Sequence, residues 1–85
     1  MSEETKPTEI ETLLGGKEIT VTLLDGKTEG VKVRQLPVKD YPRYMQCQDD
    51  EPRMAELLCA KPAGWSETLT NASLEAVIVE GDRLN

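Results

Sequence analysis

Apolar and polar residues alternate most regularly in KEITVTLLDGKTEGVKVRQL, residues 17–36. Ile19, Val21 and Leu23 interleave with Glu18, Thr20 and Thr22, and Val31 and Val33 interleave with Lys32 and Arg34. Period-two alternation rich in β-branched residues predicts two half-buried strands, about 18–24 and 29–36, with Asp25-Gly26 in the turn. A two-residue Asp-Gly loop would set Val31 opposite Thr20 and split the apolar side chains between two faces. Pairing Val31 with Val21, or with Leu23, keeps all five on one face. A longer loop is therefore expected.

Beyond the hairpin the period changes to that of a helix. Pro37 lacks the donor a strand ladder needs and holds the residue before it extended, so the second strand stops near Leu36. Asp40 then stands as an N-cap with Pro42 in the first turn, predicting a helix over 41–48 with Tyr41, Tyr44 and Met45 on one side. Asp49 and Asp50 interrupt it. Pro52 opens a second helix, 52–60, where Met54, Leu57 and Leu58 form an inward stripe. The run KPAGW breaks the chain again, and Thr70 caps a third helix, 71–84, with Leu74, Val77, Ile78 and Leu84 on one face. Val77-Ile78-Val79 could instead begin a strand, but the surrounding Glu and Ala favour helix.

The expected fold class is α+β: an N-terminal β-hairpin packed on three short α-helices. Residues 1–16 read as a flexible acidic tail ahead of a single small domain, 17–85. In that tail Ile10, Leu13 and Leu14 have helical spacing but stop at Gly15-Gly16, leaving leucines exposed unless something covers them.

Composition narrows the classes. Phe is absent, and Tyr41, Tyr44 and Trp65 are the aromatic residues of an 85-residue chain that is 38% hydrophobic. A core of Leu, Val, Ile and Met this small has little margin, which favours a partner surface or a homo-oligomer. No stretch approaches the roughly 18 consecutive apolar residues of a membrane span. The polar start MSEETKPTEIE is the reverse of a secretory signal, so a cytoplasmic protein is expected.

A net charge of −6 argues against nucleic acid as a partner, because phosphate binding needs a basic footprint. The charge is uneven. Residues 1–16 hold one Lys against four Glu, residues 17–43 six basic against four acidic groups, and residues 44–85 three against eight. The mildly basic hairpin region is either an ordinary solvated surface or a polar docking face.

Catalytic chemistry finds little to work with. There is no His for general acid–base work, and Ser2, Ser66 and Ser73 lie outside any GxSxG motif. Gly15-Gly16 precedes a strand rather than a helix, so no phosphate-binding loop is present. Cys47 and Cys59 stand twelve positions apart, which excludes a CxxC pair, and without His the usual zinc sets cannot form. Both read as small apolar helix residues. Asp49-Asp50-Glu51 suits capping at a helix start better than a cation site. No cofactor or metal is expected, and the reading is non-enzymatic. Trp65, in a connection between Gly64 and Ser66, either plugs the core or anchors a partner, and the same choice applies to Tyr41 and Tyr44.

The order of these elements carries a resemblance. The hairpin ending VKVRQLPVKDYPRY, the QDDEPRMAELLCAKP helix and the closing ETLTNASLEAVIVEGDRLN resemble a phage tail assembly chaperone of the siphophage, prophage-encoded type, over residues 18–85. The likeness implies a protein that coats the elongated tape-measure protein in the bacterial cytoplasm. It further implies recruitment of tail-tube subunits and absence from the mature virion. Such proteins are often also made in a longer, frameshifted form, and many continue past the equivalent of Asn85 with an aromatic-bearing segment. In that role Leu13, Leu14, Tyr41, Tyr44 and Trp65 would contact the client, with Lys32 and Arg34 orienting it. The alternatives are a virion structural or adaptor protein of head–tail connector or tail-terminator type, and a β-grasp-like interaction module. The β-grasp needs further strands after its helix, for which residues 49–85 offer Val77–Val79 alone.

Overall fold

The computed structural model describes Ile10, Leu13 and residues 15–85. It is α+β, as the pattern requires. An antiparallel hairpin of β1 (Gly16–Thr22) and β2 (Thr28–Arg34) is followed by α1 (Tyr41–Gln46), α2 (Glu51–Cys59), a 3₁₀ turn (Trp65–Thr68) and α3 (Asn71–Leu84). Val77–Val79 lie inside α3, so the strand alternative does not form.

The hairpin register differs in detail from expectation. Val31 faces Ile19, and Val21 faces Glu29, rather than Val31 facing Val21 or Leu23. The turn itself closes this register: the Leu23 N–H donates to the Lys27 carbonyl at 2.8 Å and the Gly26 N–H to the Leu23 carbonyl at 2.9 Å. Leu23 also bridges Leu69, and the Leu24 N–H donates to the Thr68 carbonyl at 2.8 Å. The loop is accordingly longer than two residues, running from Leu23 to Lys27. Parity is preserved, so Ile19, Val21, Leu23, Val31 and Val33 still share one face. That face is the floor of the core, with Val21 and Val33 essentially inaccessible.

Strand β1 also starts earlier than expected. Gly16, assigned above to the tail, is a buried strand residue paired with Arg34. Any Cβ there would overlap the Val33 carbonyl oxygen. The Gln35 N–H extends the ladder to the Gly15 carbonyl at 2.9 Å. Beyond it the Leu36 N–H turns away to the Asn85 side chain at 2.8 Å, whose Nδ2 donates to the Arg34 carbonyl at 3.3 Å. The side chain of Asn85 thus takes the place of a neighbouring strand where β2 ends before Pro37.

The helix signals work to different degrees. Asp50 caps α2 by accepting from the Arg53 N–H, and Thr70 caps α3 by accepting from the Ser73 N–H. Asp40 occupies the N-cap position of α1 without capping it. Its carboxylate instead lies 3.5 Å from the Arg34 guanidinium. Helix α1 stops at Gln46, two residues short of expectation, because Cys47 enters a turn closed by the Asp50 N–H on its carbonyl at 2.8 Å.

Helices α2 and α3 lie across the apolar face of the hairpin, burying Met54, Ala55 and Leu58 from one and Val77, Ile78 and Leu84 from the other. They meet most closely where Leu58 rests on Gly81. A Cβ at position 81 would overlap the Leu58 Cδ1 atom and crowd Cδ2 and Cγ. Leu58 has no exposed surface and nowhere to move. Gly81→Ala should therefore destabilise the domain by about 1–2 kcal/mol in urea melts, overpacking outweighing the helix preference for Ala. Adding Leu58→Ala should give less than the sum of the two single losses. Helix α2 ends on Ala60 with φ 55°, a left-handed geometry unfavourable to a side chain. Ala60→Gly should stabilise by about 1 kcal/mol in the same measurement.

Candidate functional site

The connection between α2 and α3 is gripped by the one buried carboxylate among the described residues. Glu56 projects from α2 beneath the 3₁₀ turn, with 7% of its surface exposed. Its Oε2 accepts from the Gly64 N–H at 2.8 Å, the Ser66 N–H at 3.1 Å and the Ser66 hydroxyl at 2.8 Å. Burial alone would raise the carboxyl pKa. The donors from Ser66 and Gly64, with Arg53 nearby, outweigh it and leave Glu56 below its ordinary value. The negative charge stands where the 3₁₀ turn presents unpaired N–H groups. Glu56 is therefore a clamp on the loop.

That clamp sets the position of Trp65. The ring is half-buried against the core, and its Nε1–H donates to Glu29 Oε1 at 3.3 Å. Lys61 Nζ lies 3.1 Å from Glu29 Oε2 and 5.5 Å from the indole centroid. The Lys61 hydrogen bond, followed by that of Trp65, lowers the Glu29 pKa. Of the two roles open to Trp65, the structure gives it the inward one. It ties the loop to β2 and has already spent its polar atom.

Two other residues assigned to client contact have internal duties. Tyr44 is 3% exposed, and its hydroxyl donates to Asp82 Oδ1 at 2.8 Å. Burial first, and then Asp82, push its pKa well above the ordinary phenol value. Its side chain offers a partner almost nothing, because the thin core needs the ring. Arg34 reaches the Leu57 carbonyl with Nε at 3.0 Å and Nη2 at 2.8 Å, closing the C-terminal turn of α2 while also meeting Asp40. Arg34 is thus a brace between β2, α1 and α2.

The remaining candidates are exposed. Lys32 stands on the outer, polar face of the hairpin opposite Glu18, and Leu13 is 84% exposed. Leu14 lies outside the described residues. Tyr41 is 42% exposed, its ring centroid 6.3 Å from that of Tyr44. The candidates do not form one patch. Trp65 is tied to Glu29 and the start of α1 to Arg34, five positions apart on β2, or about 17 Å at the usual strand rise.

The structure instead reveals a strip that pattern reading passed over. Val38 is 90% and Met45 50% exposed, and with Tyr41 they follow i, i+3, i+7 spacing. The turn before α1 is wound like a helix start: Asp40 has helical φ and ψ, and the Tyr41 N–H donates to the Val38 carbonyl at 3.3 Å. The three side chains therefore share one face, beside buried Tyr44, whose ring lies against that of Tyr41. The spacing 38, 41, 45 was the available signal, obscured because Val38 sits before the helix proper. Another exposed apolar residue, Leu24, lines a shallow hollow of about 370 Å³ with Leu23, Asp25, Glu67 and Thr68 at the hairpin tip.

Among the described residues no group of His, Cys, Asp and Glu is placed to hold a metal ion, and no helix is long and apolar enough to cross a membrane. No protein-family model matches the chain, and neither does any curated protein or solved structure.

Two outcomes follow from these environments. A carboxyl held below its ordinary pKa of about 4.5 contributes stability above that value and loses it as pH falls through the folded one. The melting temperature should therefore fall on acidification below about pH 4.5, and Glu56→Gln, less stable by about 2 kcal/mol at pH 7, should flatten that slope. Burial pushes the Cys59 thiol up to about 11, whereas Cys47 is partly accessible. Native protein treated with iodoacetamide should carry label on Cys47 long before Cys59, as read by peptide mass spectrometry.

Proposed function

We propose that this chain is a non-enzymatic binding protein that covers apolar stretches of another polypeptide, in the manner of a phage tail assembly chaperone. The observation that carries the reading is the uncovered strip of Val38, Tyr41 and Met45 on an otherwise acidic domain. Three large apolar side chains at helical spacing match the stripe of an amphipathic helix. The acidic remainder would keep a coated client soluble. The buried polar groups point the same way. Glu56, Ser66 and Ser73 each bond within the domain, and no described buried side-chain polar atom lacks a partner. Those groups are occupied in holding the loop and the sheet edge.

The resemblance of VKVRQLPVKDYPRY and the following segments to tail assembly chaperones names the client. It is the tape-measure protein, a long helical chain prone to aggregation, with tail-tube subunits recruited afterwards. The setting is the host cytoplasm, before the particle is complete. Tyr41 leads the client contact, with Val38 and Met45 beside it. Lys32 is available to orient a partner along the hairpin, and Trp65 contributes through its exposed edge alone.

Co-expression with a tape-measure fragment tests the reading. The chain should raise the soluble fraction of the fragment and co-purify with it. Tyr41→Ser with Met45→Ser should reduce recovery by about tenfold, since removing two apolar contacts weakens binding by more than 1.4 kcal/mol. Trp65→Phe should have little effect on recovery. Undiminished recovery of the double variant, or the chain found in purified particles, would overturn the proposal.

A further inference from the structure

Strand β2 has an open outer edge. The Gln35 N–H bonds the Gly15 carbonyl and the Leu23 N–H bonds the Lys27 carbonyl, so odd-numbered residues face the ladder between the strands. Gly30 and Lys32, at even positions, turn their N–H and C=O groups away from β1. Among the described residues nothing bonds those groups. Both residues are exposed, and a Cβ built on Gly30 would meet no other atom within 4 Å. Backbone groups spaced regularly along a strand edge fit one kind of partner, another extended chain.

The fold itself places a strand-like group on this edge. Where β2 ends, the Asn85 side chain accepts from the Leu36 N–H at 2.8 Å and donates to the Arg34 carbonyl at 3.3 Å, as a neighbouring strand would. Gly30 and Lys32 lie just before it. The β1 edge is partly closed: the Thr22 N–H donates to Ser73 Oγ at 2.8 Å, and the Thr22 carbonyl accepts from the Thr70 N–H at 3.1 Å. Charge then selects the occupant. Lys27 and Lys32 are exposed and make no ion pair among the described residues, whereas Glu29, the acid of β2, is held by Lys61. Glu18 stands across the ladder from Lys32, on the β1 side, without pairing to it. Two copies joined along β2 would bring lysine-bearing edges together, the device by which edge strands are kept apart. An acidic strand meets no such repulsion.

From an open edge that carries unpaired lysines and ends on a strand-like amide, we infer that β2 takes an extended acidic segment of another polypeptide as a third strand. The incoming backbone bonds the outward groups of Gly30 and Lys32. Its acids lie on the outer face beside Lys32, with Lys27 adding to the field at the tip. The bare Cα of Gly30 leaves room for a large side chain opposite it. A third strand also suits a sheet that has only two. The edge includes no residue of the α1 strip, so the inference goes beyond the chaperone reading and stands or falls apart from it.

The probe is a short peptide alternating Val and Glu, added to the full chain and followed by amide hydrogen exchange in nuclear magnetic resonance spectra. Exchange at Gly30 and Lys32 should slow by about tenfold or more, while Glu18 and Thr20 on the β1 edge keep their rates. Lys32→Glu should raise the dissociation constant of the peptide by about tenfold, and so should exchanging its Glu for Lys. Gly30→Pro removes one outward donor and no bond to β1, and should likewise weaken binding. Far-ultraviolet circular dichroism should be unchanged in both variants. Lys32→Glu alters an exposed side chain alone, which keeps the test independent of any cost the proline carries. Absence of binding would overturn the inference. So would binding that slows exchange along β1 instead of at Gly30 and Lys32, or equal affinity for the acidic and basic peptides.

Discussion

With no side chain at position 81, the last helix lets Leu58 settle directly on its backbone, and the rest of the domain is arranged around that crossing. It brings α2 and α3 close enough to lie together across one narrow hairpin. Leu58, Val77, Val21 and Val33, from all four of those elements, are thereby sealed from water in one cluster. A chain without Phe has few other ways to fill the space. Packing here depends on close approach of backbones instead of on large side chains, so small changes in volume carry a high penalty.

Polar contacts then fasten what the core brings together, and they do so at the element ends. Arg34 closes the end of α2, Asn85 occupies the open end of β2, Glu56 gathers the donors of the 3₁₀ turn, and Ser73 receives the Thr22 N–H at the edge of β1. In each case a side chain satisfies backbone groups that a helix end, a tight turn or the edge of a two-stranded sheet leaves without partners. This explains why residues that look available in the sequence are committed in the fold. Small domains have few groups to spare. What stays exposed includes the α1 strip and the polar face of the hairpin.

How much of this was legible beforehand can be argued from particular residues. Alternation between Ile19 and Val33 specified the hairpin and its inward face, and Pro37, Pro52 and Thr70 marked the junctions, because backbone geometry and capping act over a few residues. The stripes Met54-Leu57-Leu58 and Leu74-Val77-Ile78 likewise named core positions from local period alone. Tertiary structure decided the rest. The hairpin tip is docked on Leu69 and Thr68, more than forty positions from β1 in the chain. The inward turns of Tyr44, Trp65 and Arg34 depended on Asp82, Glu29 and Leu57, and the role of Gly81 on Leu58. Local pattern tells which residues are apolar and which are able to bond. Which partner each one finds depends on segments distant in sequence meeting in space, and that is information the packed chain alone contains.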